Sequence, residues 1–318
     1  MLIFNDIYAV LYRLFLWVLI FGFPFFGFSQ KKDSVSVLYP SEVFSPKRTV
    51  GIVGIEFFGY TSSMVVLNSL WYKDYPRSSF HWFNDNHQWL QMDKIGHATT
   101  SYYVGKIGID ALRWSGVNKR KSVIYGGVLG LAFLTSVEVF DGISEEWGAS
   151  SGDVIANISG AALLIGQELL WEEQRIMLKF SAHFSPYAQY RPNTLGGTWN
   201  ERFLKDYNGQ TYWLSVNLKS FGGEGSYVPK WLNLAIGYSA DGMTGGSQNY
   251  LIDSEGNSIP EFERQRQFFL SLDIDLTKIK TKSPFVNTLL GAFGFVKIPM
   301  PTYEYGTKSG LSAHFLYF

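Results

Sequence analysis

The sequence predicts an α+β protein in which a bundle of about four helices precedes an antiparallel β-sheet or a small outer-membrane-type β-barrel. Hydrophobic residues recur at helical spacing between Val43 and Trp171, and they alternate with polar residues after Arg175. Hydrophobic residues make up 46% and aromatic residues 17% of the 318 positions, which favours contact with a membrane. Basic and acidic residues balance at 27 each, which argues against a nucleic-acid partner.

The N-terminal segment 1–30 has the pattern of a secretory signal peptide. An apolar run from Leu14 to Phe28 follows Arg13 and ends before the charged residues that begin at Lys31. The run is shorter than the ~20 residues that cross a bilayer, although retention as a membrane anchor stays open. The sequence contains no cysteine, so disulfides, thiolate metal ligands and a lipidated cysteine are excluded within it.

Residues 31–174 form the predicted helical domain. Loop-like polar stretches divide it into segments of helical period, at about Thr49–Tyr72, Gln91–Trp114, Ser122–Ile143 and Gly152–Trp171. Three segments are apolar enough to raise the question of membrane-spanning helices, but Glu138, Asp141 and Glu168 interrupt their charge-free runs. We therefore predict a compact bundle with a polar interior that rests against a membrane, in preference to a plain inner-membrane bundle.

Residues 175–318 form the predicted β-rich domain. Apolar and polar residues alternate in the stretches 178–184, 214–218, 232–239 and 268–276. The chain ends on the strand-like segment 311–318 with Phe318 as its last residue, and weaker strand candidates lie near Leu251 and Phe293. Many outer-membrane barrels end on such a strand, but a sheet with one face on the helices and one in water gives the same alternation. The pattern defines fewer strands than the about eight of a closed barrel, so both alternatives stay open.

A sparse set of polar residues interrupts the apolar helical segments. These residues are Asp93, Lys94 and His97, then Glu138 and Asp141, then Asp153 and Asn157. Residues three or four apart share one face of a helix, so three such faces can converge on one buried polar site. The set is rich in oxygen and has no thiol, which favours a divalent cation such as calcium, magnesium or manganese, with zinc as an option through His97.

Local structural roles compete with a shared site. Asp93 could cap the helix that follows it, and Asp153 could form a capping box with Ser150. Ser101 lies one turn after His97, where a helical serine is more often a packing or hydrogen-bonding residue than a nucleophile.

Glu138 is the residue that local structure explains least. It interrupts the most apolar segment beyond the signal-like region, where an unpaired carboxylate is costly, so we expect Lys94, His97 or a metal ion as its partner. Without a metal, Lys94 and His97 would form an ionic network with the carboxylates that fixes the register of the helices.

Several of these motifs together resemble a known family. They are residues 92–98 (MDKIGHA), 138–142 (EVFDG), 147–150 (WGAS) and 152–157 (GDVIAN), followed by Gly160. In this order they resemble the YfiM-like predicted periplasmic lipoproteins, a family of unknown function, and more weakly the VanZ-like membrane proteins. The resemblance covers about residues 49–171 and implies a place in the cell envelope, but no reaction. The chain departs from the family name because it has no cysteine to lipidate, and it adds a β-rich half.

We therefore expect an exported protein of the outer membrane or periplasm of a Gram-negative bacterium, with a structural or accessory role. Membrane lipid and other outer-membrane proteins are the expected partners. The sequence has no Gly-x-Ser-x-Gly elbow, His-Glu-x-x-His motif or phosphate loop, which favours a protein that is not an enzyme. The alternative is a metal-dependent or acid–base hydrolase of lipid or cell-wall material, with His97 as base and Glu138 and Asp153 as ligands or acids. Lys94 would bind an anion in that hydrolase, and an inner-membrane VanZ-like protein is a third hypothesis.

Overall fold

A computed structural model describes residues 39–73, 75–222, 225–253 and 255–317. The predicted signal peptide lies outside the described residues, as does the final Phe318. Long helices occupy the first half of the described chain and an antiparallel sheet the second. The predicted α+β class and the order of its two parts are therefore confirmed.

The first half contains the long helices α1 (Pro46–Leu67), α2 (Met92–Trp114), α3 (Leu129–Gly142) and α4 (Ser151–Leu170). The π-helical turn Asn68–Tyr72 extends α1, while α3 follows the short helix Lys119–Lys121 and the π-helical turn Ser122–Gly126. Ser45 and Ser150 cap α1 and α4, because their hydroxyl oxygens accept from backbone N–H groups of the first turn. Each predicted helical segment thus contains one long helix.

The α2 helix packs between α3 and α4 at close range because small residues line the contacts. A Cβ atom added at Gly130 would lie 2.0 Å from the carbonyl oxygen of Ser101, and one added at Gly160 would lie 2.0 Å from that of Ala98. These approaches bring the polar faces of the three helices together.

Apolar side chains remain exposed on the helices. Three stretches are long and apolar enough to cross a membrane, by length and composition only: Pro46–Tyr72, Lys119–Gly142 and Ser151–Leu170. The first is the least buried, and it exposes Val50, Phe57 and Phe58.

The second half contains one six-stranded antiparallel sheet whose strands neighbour one another in sequence order. Its strands are β1 (Ile176–Ala182), β2 (Gln210–Asn217), β3 (Leu232–Asp241), β4 (Gln265–Ile274), β5 (Met300–Gly306) and β6 (Gly310–Tyr317). Short helices Pro192–Leu195, Trp199–Lys205, Leu218–Phe221 and Pro284–Ala292 lie in the connections. The strand candidates near Leu251 and Phe293 are instead an isolated bridge and a 3₁₀ turn.

The sheet curls but does not close. Tyr317 on β6 packs within 6.0 Å of the Trp213 ring on β2, measured between ring centroids. The free edge of β1 is covered by another segment, since Phe180 pairs with Val296 and Lys297 N donates to the carbonyl oxygen of Phe180 at 2.9 Å. The sheet is therefore open, and the closed-barrel alternative is not supported.

The two faces of the sheet differ in polarity. Paired positions on the outer face are apolar, such as Ile236 opposite Leu270, and these side chains are exposed. On the inner face Asn233, Asp273 and Lys179 are fully buried. The inner face therefore encloses polar side chains beside the apolar cluster of Trp213 and Phe269. The opposite face is apolar and exposed on β3 and β4, while its Leu178 and Tyr212 pack against the helical half.

Candidate functional site

The predicted polar residues meet at one end of the helical half, where α2 and α4 begin and α3 ends. Asp93, Lys94 and His97 lie in the first turns of α2, Asp153 lies in the first turn of α4, and Glu138 lies in the last turns of α3. The free N–H groups at the start of α2 and α4 carry partial positive charge, which favours carboxylates there.

Lys94 is surrounded by carboxylates. Its Nζ lies 2.7 Å from Asp85 Oδ1, 2.9 Å from Asp93 Oδ2 and 3.0 Å from Asp153 Oδ1. Burial alone would lower the pKa of Lys94, but these three carboxylates outweigh it and raise that pKa above its usual range. Lys94 is therefore a permanent cation that neutralises part of the cluster.

Asp85 reaches Lys94 from the loop that precedes α2. The three residues that end this loop, Trp89, Leu90 and Gln91, all have left-handed backbone conformations, with φ of 48°, 49° and 66°. Such non-glycine conformations are unfavourable and persist only where the surroundings hold them. Here the Trp89 N–H donates to the carbonyl oxygen of Gly246 at 2.8 Å, so the loop after β3 helps to fix the start of α2.

A second group lies beside the first and shares Asp153 with it. His97 Nδ1 lies 3.5 Å from Glu138 Oε1 and 3.2 Å from Asn157 Oδ1. Glu138 Oε2 accepts the backbone N–H of Ser150 at 3.0 Å. Ligand atoms of His97, Glu138 and Asp153 all lie within 4.8 Å of one another. Each comes from a different helix, so one ion could bridge α2, α3 and α4.

The second group is short of hydrogen-bond donors. Glu138 is only 4% exposed, and its Oε1 accepts no hydrogen bond from the part of the chain that the structure describes. Burial raises the pKa of Glu138 to about 7 and that of Asp153 to about 6, although His97 opposes both shifts. Buried carboxylates with this deficit require a proton or a further cation.

The remaining predicted residues have other contacts. Asp141 accepts a hydrogen bond from the Tyr72 hydroxyl at 2.7 Å and belongs to neither candidate metal group among the described residues. The Ser101 hydroxyl is fully buried and donates to the carbonyl oxygen of Asn157 at 2.7 Å.

Ser150 has more hydrogen-bond partners than the capping role predicted from the sequence. Its hydroxyl oxygen accepts from Asp153 N at 3.2 Å, as a cap does, while the hydroxyl donates to Asp85 at 2.5 Å. The Asp153 carboxylate, which the capping-box alternative would have occupied, faces Lys94 instead. Sequence reasoning missed Asp85 because its loop, Asn84-Asp85-Asn86, has no periodic pattern that would place it.

Part of the helical half matches a known protein family. Residues 81–166 match the family model described as predicted periplasmic lipoprotein (DUF2279). No curated protein and no solved structure matches the chain. The match contains both polar groups, and it confirms the predicted family resemblance and export to the cell envelope. The weaker similarity to VanZ-like proteins stays a prediction.

Proposed function

We propose that this chain is an envelope-associated protein with a structural or accessory role in the outer membrane, which the match of residues 81–166 to a predicted periplasmic lipoprotein family supports. Its sheet would face lipid, and a divalent cation would hold its helices together. The observation that carries the proposal is the polarity of the sheet.

The sheet has the wrong polarity for an aqueous environment. Lys179 and Asp273 are fully buried on the inner face, with Nζ and Oδ2 2.7 Å apart. On the outer face, Ile236, Leu270 and Phe315 are 55%, 47% and 86% exposed. Exposed apolar area costs about 25 cal/mol per Å² in water, whereas strands that face lipid are apolar outward and polar inward. This arrangement supports lipid as the surrounding of the outer face.

Membrane fractionation of the full chain tests this role. We expect the protein in the outer-membrane fraction after a high-salt wash, because apolar contact with lipid is insensitive to salt. The variant Ile236→Lys should weaken retention, since a lysine on a lipid-facing strand costs up to about 2–4 kcal/mol. The control Lys308→Gln, in the exposed turn between β5 and β6, should be retained like the parent. A parent protein found only in the soluble periplasm would overturn the proposal.

The second part of the proposal is a cation between His97, Glu138 and Asp153. One imidazole nitrogen and carboxylate oxygens suit zinc or a harder ion such as manganese, magnesium or calcium. Glu138 Oε1 supports it, because this buried oxygen accepts no hydrogen bond from any described residue and a bound ion would satisfy it. Since each ligand comes from a different helix, the ion would stabilise the packing of α2, α3 and α4.

Element analysis of the purified protein tests the cation. We expect a stoichiometric divalent ion in the parent and its loss in Glu138→Gln, which keeps the side-chain shape but removes the charge. Glu146→Gln is the matched control, because Glu146 is exposed and close to the site in sequence. A folded parent that binds no ion after incubation with each of the four metals would contradict the cation.

The hydrolase alternative would use water, rather than a serine, as its nucleophile. The nearby hydroxyls of Ser101 and Ser150 already donate to Asn157 and Asp85. Loss of a lipid or cell-wall conversion in a folded, membrane-bound Glu138→Gln variant would favour the hydrolase instead.

A further inference from the structure

Basic side chains from both halves collect at the end of the molecule opposite the polar site. The α2 helix ends here, and α1 begins here, because Ser45 N donates to the carbonyl oxygen of Ser115 at 2.9 Å. The β1 strand also begins here, directly after α4, and Asn217 N at the end of β2 donates to the carbonyl oxygen of Arg175 at 2.8 Å.

Three carboxylates at this end are paired, whereas Glu42, which lies beside Lys119 and Glu172, is exposed and makes no ion pair with any described residue. Glu168 binds Arg113 at 2.5 Å and Glu172 binds Lys119 at 2.5 Å. Glu173 binds Arg175 at 2.9 Å and Lys278 at 2.8 Å, which joins the connection after β4 to the same end. The exposed cations that make no ion pair with any described residue define what we call the basic end: Lys47, Arg120, Lys121, Lys230, Lys280 and Lys282.

The formal net charge of the chain is +0, so this surplus reflects a separation of charge. The opposite end holds the buried carboxylates of the polar site. A molecule with this asymmetry can bind an anionic surface through one end although it is neutral as a whole.

Aromatic and aliphatic side chains surround the basic end. Tyr227 is fully exposed in the connection between β2 and β3, and Trp231 in the same connection is 40% exposed. Val43 and Leu170, next to the starts of α1 and β1, are 74% and 76% exposed. Tyrosine and tryptophan beside lysines are typical of the boundary between lipid headgroups and hydrocarbon.

We propose that the basic end binds the phosphate headgroups of an anionic phospholipid leaflet, with Tyr227 and Trp231 at the headgroup boundary. This inference rests on the proposed membrane role and adds the lipid class and the orientation. The polar site then lies at the end of the molecule farther from that leaflet. Lysines near an anionic surface contribute additively to the free energy of binding, and their electrostatic attraction to that surface falls off within a Debye length.

Flotation of the full chain with vesicles tests the inference. One set of vesicles contains phosphatidylglycerol in phosphatidylcholine, and the other contains phosphatidylcholine alone. We expect tighter binding to the anionic vesicles, with an advantage that disappears near 1 M salt, where the Debye length is about 3 Å.

Matched double variants locate the contact. The double variant Lys280→Gln with Lys282→Gln should lower affinity for anionic vesicles about 25-fold, because each lysine contributes about fivefold. Its affinity for neutral vesicles should be unchanged. Lys73→Gln with Lys308→Gln removes the same charge from exposed positions at the opposite end and should change affinity less than about twofold.

Three results would overturn the inference. Equal affinity of the parent for both vesicles would refute headgroup recognition while leaving the membrane role intact. An equal loss in both double variants would show that only net charge matters. No binding to either vesicle would refute the proposed membrane role together with this inference.

Discussion

Replacing Lys94 with methionine should destabilise the helical half strongly. The substitution keeps an unbranched side chain of similar length but removes the cation that lies within 3.0 Å of Asp85, Asp93 and Asp153 oxygens. Lys94 and these carboxylates are between 8% and 17% exposed at their side chains, so water screens the remaining negative charges poorly.

The size of this destabilisation follows from the burial of the carboxylates around Lys94. Breaking a buried ion pair by removing one partner costs about 3–5 kcal/mol, because the other charge stays buried without compensation. At about 2–4 °C per kcal/mol for a chain of this size, thermal unfolding followed by circular dichroism should shift down by about 10 °C. Lys106→Met is the control, because Lys106 pairs with Asp110, which is 54% exposed, and such pairs contribute less than about 1 kcal/mol.

A cation should rescue this variant. Ligand oxygens of Asp85, Asp93 and Asp153 lie within 4.8 Å of one another, so calcium could replace the lost ammonium group. We expect millimolar calcium to restore much of the unfolding temperature of Lys94→Met and to leave Lys106→Met unaffected. Equal destabilisation of the two variants, or a Lys94→Met variant as stable as the parent, would refute the view that Lys94 holds the cluster together.

Further predictions concern packing, pH and a single hydrogen bond. Gly160→Ala should destabilise α4 packing by about 1–3 kcal/mol because its Cβ would lie 2.0 Å from a carbonyl oxygen, whereas Gly166→Ala, with open space around it, should be neutral or stabilising in thermal unfolding. Burial lowers the pKa of Lys297 from 10.5 to about 8, so the unfolded chain binds the proton more tightly and stability should rise with pH between those values. The stability of the parent relative to Lys297→Met should therefore rise by about 2 kcal/mol between about pH 7 and 9.5; a constant difference would contradict this. Tyr72→Phe should cost about 1.5–3 kcal/mol in chemical unfolding by removing the hydrogen bond to Asp141, and no change would mean that water replaces it.

The helices and most strands could be predicted because their hydrophobic periods are local. The predicted segment Gln91–Trp114 agrees closely with α2, and the alternation in 268–276 lies largely within β4. The β5 strand was not predicted, because the alternation of Thr302 and Glu304 with Tyr303 and Tyr305 spans only four residues between Pro301 and Gly306. Its inner positions Thr302 and Glu304 are buried beside other polar side chains of the inner face, such as Ser271, and only the assembled sheet reveals this.

The candidate site could likewise be predicted only where its residues follow a local helical pattern. Helical spacing placed His97, Glu138 and Asp153 on inward faces, and the structure brings them together. Asp141 shares a helix with Glu138 but contacts Tyr72, which the π-helical end of α1 presents. The contribution of Asp85 depends on the left-handed turn before α2, and no local pattern in the sequence encodes that geometry.

If lipid covers the outer face of the sheet, a single fluorescent label on that face should report a lipid surrounding. The chain has no cysteine, so Ile236→Cys on β3 can carry one polarity-sensitive fluorophore, with Lys308→Cys in the β5–β6 turn as control. In vesicles that contain the protein, we predict that quenchers attached to lipid chains reduce the Ile236→Cys signal and that aqueous iodide reduces only the Lys308→Cys signal. Equal iodide quenching at both positions would contradict a lipid surrounding for this face.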